Sequence, residues 1–181
     1  YAQNPLMRRL IGRKRLNSIY YQKVMRLNTR IGFTRTLNEW LGYHTESVIQ
    51  DIDIPIENAS RFLDFFHREI GIQPVWICPV AHPQNTHRYP LFPMTSDTLY
   101  INFGFWDVIR GRDKLPTGHY NRKIEKTVNE LGGIKSLYSN VYYPEDDFWS
   151  IYGGEKYQEL KKRYDPSMRL PNLHQKCVLQ Q

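Results

Sequence analysis

The chain has few cysteines and no long apolar run, and each shortage excludes a class of protein. Only Cys78 and Cys177 are cysteines among 181 residues, too few for the disulfide framework of a small secreted domain. A reducing compartment, and so a cytoplasmic protein, is therefore the expectation. No stretch approaches the roughly 18 consecutive apolar residues of a membrane-spanning helix. No signal peptide is visible.

The sequence also lacks the glycine-rich segment, set between a strand and a helix, that binds nucleotide phosphates. The length gives room for one domain with a full core, or one domain with an extension. The 14% aromatic content argues against disorder. Because the chain begins at Tyr1 without a methionine, we expect it to be part of a longer protein.

Acidic residues are missing from the first 38 positions, where nine basic residues occur before Glu39. The rest of the chain carries 16 basic and 18 acidic residues, so the excess of positive charge in the net +7 belongs to this segment. Apolar residues recur there at helical spacing, which predicts two basic amphipathic helices broken near Gly12. We interpret residues 1–46 as a basic helical extension. Residues 6–35 could contact an anionic membrane surface, bind phosphates, or lie against a partner domain.

From Ser47 the periodicity changes and predicts alternating strands and helices. Val48, Gln50 and Ile52 should share one face of the first strand, and Asp51 and Asp53 the other. Later apolar patterns predict a helix, two strands, a second helix ending at a glycine pair, and a strand over the apolar and aromatic run that follows. The predicted segments are 47–54, 56–70, 75–80, 99–106, 120–131 and 134–143. This β-α-β-β-α-β order is that of a ferredoxin-like α+β domain over residues 47–181, an antiparallel sheet with helices on one face.

The face of such a sheet that the helices leave open should carry aromatic side chains. Trp76, Tyr100 and Tyr138 cannot all lie beneath the helices if their apolar neighbours are also buried. An open apolar and tyrosine-rich face is typical of a binding surface.

Several segments carry a resemblance to a known family. They are Asn4-Pro5-Leu6, Gln50-Asp51-Ile52-Asp53-Ile54-Pro55, Pro74-Val75-Trp76-Ile77-Cys78-Pro79, Leu99 to Gly104, and Leu137-Tyr138 followed by Glu145 to Trp149, Gly153, Tyr157, Lys161 to Arg163, Pro171 and Lys176. In this order and spacing, the chain resembles the C-terminal part of flavoenzymes of the vanillyl-alcohol-oxidase superfamily. The likeness points to their Δ24-sterol reductase (dehydrocholesterol reductase) branch and covers nearly the whole chain.

The resemblance implies a cap, or substrate, domain whose sheet roofs a flavin. FAD would be held mainly by an upstream domain absent from this chain, with NADPH as the possible reductant, and a sterol-like or isoprenoid lipid would have a C=C bond reduced. This chain alone would be inactive. The implied catalytic residues are Asp51 and Tyr138, the implied flavin contacts Tyr138 and Asn140, and the implied substrate contacts Trp76, Cys78, Tyr100 and Asn102. Many relatives carry a lysine three residues after the tyrosine, where this chain has Val141, which weakens an oxidase-type interpretation.

Two other interpretations remain at this level. A ferredoxin-like sheet with exposed aromatic residues and a basic arm also describes an RNA-binding module, although Asn102 to Trp106 only partly matches its signature. Cys78, His82 and His87 could suggest a metal site, but they lack a fourth ligand, and we expect none. We do not expect a nucleic-acid partner either, because the positive charge lies outside the domain.

Overall fold

The computed structural model describes residues 9, 12, 17–32, 36, 40–81 and 89–181. The helices within these residues are α1 (Ser18–Ile31), α2 (Ile56–Glu69), α3 (His119–Glu130), α4 (Glu145–Ile151), α5 (Gly154–Tyr164) and α6 (Leu173–Cys177). The strands are β1 (His44–Pro55), β2 (Trp76–Ala81), β3 (Leu99–Gly111) and β4 (Ile134–Lys135).

The four strands form one sheet in the order β2-β3-β1-β4. β2 pairs antiparallel with β3, with Trp76 opposite Gly104 and Cys78 opposite Asn102. β1 pairs antiparallel with β4, with Asp53 opposite Ile134. This strand order, with a helix after β1 and another after β3, is the ferredoxin-like arrangement, so the predicted α+β fold class is confirmed.

One face of the sheet packs against α2 and α3 and forms the main core. The Phe62 and Phe103 rings lie 5.1 Å apart and the Phe66 and Phe105 rings 4.4 Å apart, which joins α2 to β3. Fully buried Gln50 donates a hydrogen bond to the Asn121 side chain of α3 over 2.6 Å. The alternation predicted for β1 is therefore confirmed: its even-numbered residues face the helices.

The strand predicted over residues 134–143 is much shorter than expected. Only Ile134 and Lys135 pair with β1, and residues 136–143 have no regular secondary structure. A second core replaces the strand pairing there. It comprises Ile134, Val141, Tyr143, Phe148 and Tyr152, with partly buried residues of α6 around them.

The chain divides into two compact units, residues 1–45 with 110–114, and residues 46–109 with 115–181. In the first unit, the Asn17 side chain caps α1 by accepting hydrogen bonds from the amides of Ile19 and Tyr20. Of the two basic helices predicted before residue 39, the part before Ser18 lies almost wholly outside the described residues. Among those residues, no helix combines the length and the hydropathy needed to cross a bilayer.

Candidate active site on the open face of the sheet

The open face is the side of the sheet opposite α2 and α3. The register puts side chains from three strands on it, because residues paired across neighbouring strands point to the same side. Its members are Asp51 and Asp53 of β1, Trp76 and Cys78 of β2, and Tyr100, Asn102, Gly104 and Trp106 of β3. Four of these eight come from the predicted set of substrate contacts.

Asp51 and Tyr138 meet on the open face. Asp51 comes from β1 and Tyr138 from the segment after β4, and the Asp51 carboxylate is close enough to the Tyr138 hydroxyl to affect its ionisation. Partial burial, followed by the interaction with Asp51, raises the pKa of Tyr138 to about 12. Tyr138 is nevertheless 61% exposed. The two residues predicted to be catalytic therefore form a pair that a bound molecule can reach.

Asp53 is a second carboxylate on this face, one whose contacts the sequence did not reveal. It is 6% exposed, and one of its oxygens accepts a hydrogen bond from the Asn102 side chain over 3.1 Å. Burial raises the pKa of Asp53, the Asn102 hydrogen bond opposes the change, and the charge of Asp51 adds to it. The Asn102 side-chain amide therefore binds Asp53.

The β2 and β3 part of the open face is aromatic and accessible. Trp76 is 60% exposed and Trp106 58% exposed. Between them lies Gly104, which contributes no side chain, and next to Trp76 along β2 lies the half-buried thiol of Cys78. This surface can accept a flat or elongated apolar molecule.

Tyr100 occupies a different environment from the other predicted contacts. It is 4% exposed, and its hydroxyl accepts a hydrogen bond from the backbone amide of Thr95 over 3.1 Å. The loop before β3 therefore covers Tyr100, whose packing supports that loop.

A pocket of about 300 Å³ opens beside Tyr138. Ser47, Ile49, Asn121, Tyr138, Ser139 and Asn140 line it. Asn140, a predicted flavin contact, therefore lies next to the Asp51–Tyr138 pair. The lining is largely apolar, and the polar groups of Ser47, Asn121 and Asn140 within it would suit a ligand with hydrogen-bonding edges.

A buried ion pair holds the segment that carries Tyr138. Lys135 of β4 and Glu125 of α3 are 2.7 Å apart, with side chains 0% and 3% exposed. Lys135 also donates to the carbonyl of Asn140, and the Tyr142 amide donates to both Glu125 oxygens at 3.1 Å. Burial lowers the pKa of Lys135 and raises that of Glu125, while the attraction between the two charges acts the other way on each.

The fit of the expected cofactor is mixed. The exposed aromatic rings and the lined pocket suit a flat heteroaromatic ring, and no glycine-rich loop that would hold its phosphates occurs in the described part of the chain. A metal has no evident place within the same residues, which contain no group of three or more His, Cys, Asp or Glu side chains able to hold an ion. His82 and His87 of the considered metal site lie outside the described residues.

Comparison with known proteins adds one consistent relationship. No family model matches the chain. The Delta(24)-sterol reductase of Rattus norvegicus is 26% identical over 135 residues, covering 74% of this chain and 26% of the rat protein. That of Homo sapiens is 25% identical over the same length. The protein of that name from Arabidopsis thaliana is 28% identical over 138 residues, 67% of this chain and 24% of its own length.

Over most of its length, the chain is similar to the Delta(24)-sterol reductases. The resemblance seen in the sequence is thereby confirmed. The alignments cover about a quarter of the length of these relatives.

The structure brings the predicted site residues together only in part. Asp51, Trp76, Cys78 and Tyr138 lie on or beside the accessible open face, whereas Asn102 binds Asp53 and Tyr100 lies under a loop. Sequence reasoning missed the burial of Asp53 and its hydrogen bond with Asn102. The only available signal was the alternation that put Asp53 and Asp51 on the same side of β1.

Proposed function

We propose that this chain is the substrate-binding cap of an FAD-dependent oxidoreductase that reduces a C=C bond of a sterol-like or isoprenoid lipid. NADPH is the proposed source of the reducing electrons. The observation that carries the proposal is the open face, where an accessible apolar surface lies beside the Asp51–Tyr138 pair. The similarity to Delta(24)-sterol reductases supports the reaction class.

The apolar surface accounts for substrate binding. Trp76 and Trp106 have large, rigid rings. Both residues are more than half exposed, so a lipid can contact them. Burying such a ring removes on the order of 150–250 Å² of surface from water, a large contribution to binding an apolar molecule. By binding the lipid, the apolar surface can therefore hold its double bond in a fixed place.

The Asp51–Tyr138 pair accounts for the proton that the reaction consumes. Reduction of a C=C bond adds a hydride to one carbon and a proton to the other, and reduced FAD, when bound, is the source of the hydride. The Tyr138 hydroxyl holds a proton at neutral pH and is oriented by Asp51. It can give that proton to the second carbon and regain one from solvent.

The acid on the accessible part of the open face argues against the RNA-binding alternative. Asp51 lies on the surface where an RNA-binding sheet would stack bases and approach phosphates. A carboxylate at that position repels a phosphate backbone, since such binding depends on positive charge.

An upstream FAD-binding domain is the proposed partner of the cap. Tyr138 and Asn140 would contact the flavin ring, and the phosphates would be held by that domain. We therefore expect this chain alone to fold without retaining FAD and without turnover.

The test uses a longer chain in which an FAD-binding domain precedes these residues, assayed with a sterol bearing a side-chain double bond. With NADPH supplied, mass spectrometry should show a product two mass units heavier. Tyr138→Phe and Asp51→Asn should each lower kcat by about 10²- to 10⁴-fold, the usual contribution of general acid–base groups. Tyr164→Phe is the matched control, because Tyr164 is an exposed tyrosine of α5.

Two outcomes would overturn the proposal. One is full turnover by both site variants, which would remove the pair from the chemistry. The other is tight FAD retention by the 181-residue chain alone, seen as a yellow protein after gel filtration, since this would locate the flavin site within this chain.

We propose further that the protein is cytoplasmic and that residues 6–35 contact an anionic membrane surface. The described residues of this segment include α1, which exposes Ile19, Tyr20, Val24, Leu27 and Ile31. A helix with an apolar stripe and basic neighbours is suited to lie in the headgroup region of a bilayer.

A further inference from the structure

Gly104 is an unusual residue for its place in the middle of β3. Glycine weakens a strand interior, because it gives up more chain entropy and packs no side chain. A left-handed backbone conformation, which favours glycine, is not the reason here, because the φ angle of Gly104 is not positive. A glycine in such a position often marks a place where another group comes very close to the backbone.

That group is the side chain of Asp51. A Cβ atom at position 104 would lie 2.5 Å from Asp51 Oδ1 and 3.3 Å from the Cβ of Trp76. The first distance is far below van der Waals contact. With an alanine at position 104, the Asp51 carboxylate could not keep its present position. The second distance is tight and can be relieved by a small shift.

We propose that Gly104 is a positioning residue: its missing side chain leaves the space in which the Asp51 carboxylate lies across β3 and meets the hydroxyl of Tyr138. Gly104 comes from β3, Asp51 from β1 and Tyr138 from the segment after β4. The arrangement therefore involves three separate parts of the fold. The catalytic value of this arrangement rests on the proposed function. The arrangement itself does not.

Asp51 stabilises the neutral form of Tyr138. Displacing the Asp51 carboxylate should therefore lower the pKa of that tyrosine. The pKa of Tyr138 is raised to about 12, against about 10 for an ordinary tyrosine. In the Gly104→Ala variant we expect it to fall by about one unit, since partial burial of the ring remains when Asp51 turns away.

The measurement is a pH titration of the chain carrying ¹³Cζ-tyrosine, followed by NMR. The Tyr138 resonance is assigned by its disappearance in Tyr138→Phe. Gly111→Ala is the matched control: it makes the same change in the same strand, where the nearest atom to the new Cβ is 4.0 Å away. It should leave the Tyr138 titration unchanged.

A double-mutant cycle tests whether Asp51 transmits the effect. Asp51→Ala should lower the Tyr138 pKa, and adding Gly104→Ala to it should lower it no further, because the carboxylate that collides is gone. The double variant also covers the case in which Gly104→Ala alone does not fold, since it relieves the collision. An unchanged titration in Gly104→Ala, or an equal fall with and without Asp51, would overturn the proposal.

Turnover by the longer, FAD-bearing chain separates this inference from the proposed function. We expect Gly104→Ala to lower kcat by at least 10-fold while changing KM less. A shifted Tyr138 titration with normal kcat would leave Gly104 as a positioning residue and remove the Asp51–Tyr138 pair from the chemistry.

Discussion

Asp53 is an acid that folding removes from water, and its titration should be visible in the stability of the protein. Its pKa is raised by burial, so the folded state prefers the neutral carboxyl group. The corresponding stabilisation is fully present below the unfolded value of 3.8 and is lost as the pH rises through the folded pKa. Asp53→Asn, which is always neutral, should therefore be more stable than the wild type at pH 7.

Urea unfolding at several pH values checks this expectation for Asp53. The difference between Asp53→Asn and the wild type should shrink steadily as the pH is lowered towards 3.8. Asp64→Asn, on the exposed side of α2, is the control for the substitution itself. If the Asp53 difference is constant over this pH range, the carboxyl group does not titrate as its burial requires.

At the scale of residues, the sequence predicted which side chains share a face better than what they contact. Alternation in β1 was enough to put Asp51 and Asp53 on the open face. The burial of Asp53 depends on Asn102 of β3, and the space for Asp51 depends on Gly104 of the same strand. Such contacts follow from the register between strands, which a single sequence does not specify.

At the scale of elements, the largest difference between sequence and structure is the short β4. The apolar and aromatic residues after Gly133 predicted a strand because their burial pattern resembles that of one. Their burial is real, but Val141 and Tyr143 belong to a second core with α4 and α6. A buried segment without strand pairing still needs its backbone groups satisfied, and the Glu125–Lys135 pair does this for Asn140 and Tyr142.

We expect Lys135→Met to destabilise the protein strongly. The change leaves Glu125 buried without its partner, at a cost of about 3–5 kcal/mol in the free energy of unfolding. Adding Glu125→Gln should recover about half of this loss, because the amide is neutral and its oxygen still accepts from the Tyr142 amide. Urea denaturation of both variants measures the two effects.

The exposed ion pair of α3 is the control for this experiment. Lys126 and Glu130 are 3.8 Å apart, and their side chains are 78% and 61% exposed. Lys126→Met should change the stability by less than about 0.5 kcal/mol, since surface pairs contribute little. Equal effects at positions 126 and 135 would refute the supporting role given to the buried pair.

At the scale of the whole molecule, the charge is distributed very unevenly. The first 38 residues hold nine basic side chains and no acid, and the remaining chain has two more acids than bases. In α1, Lys23, Arg26 and Arg30 accompany an apolar stripe of Tyr20, Val24, Leu27 and Ile31, spaced at four, three and four residues. Exposed apolar side chains beside basic ones are suited to the surface of an anionic lipid bilayer, which is both apolar and negatively charged.

Vesicle co-sedimentation of the whole chain tests this membrane hypothesis. Binding should be strong with vesicles containing phosphatidylserine, weak with phosphatidylcholine alone, and reduced by salt, because each basic residue near an anionic surface contributes about 1 kcal/mol. Val24→Glu should lower the partition coefficient about 10-fold or more, since it puts a carboxylate in the apolar stripe. Gln22→Glu makes the same change in charge on the opposite side of α1 and should have a smaller effect. Equal losses in the two variants would mean that charge alone drives binding, and no binding to anionic vesicles would refute the membrane role of this segment.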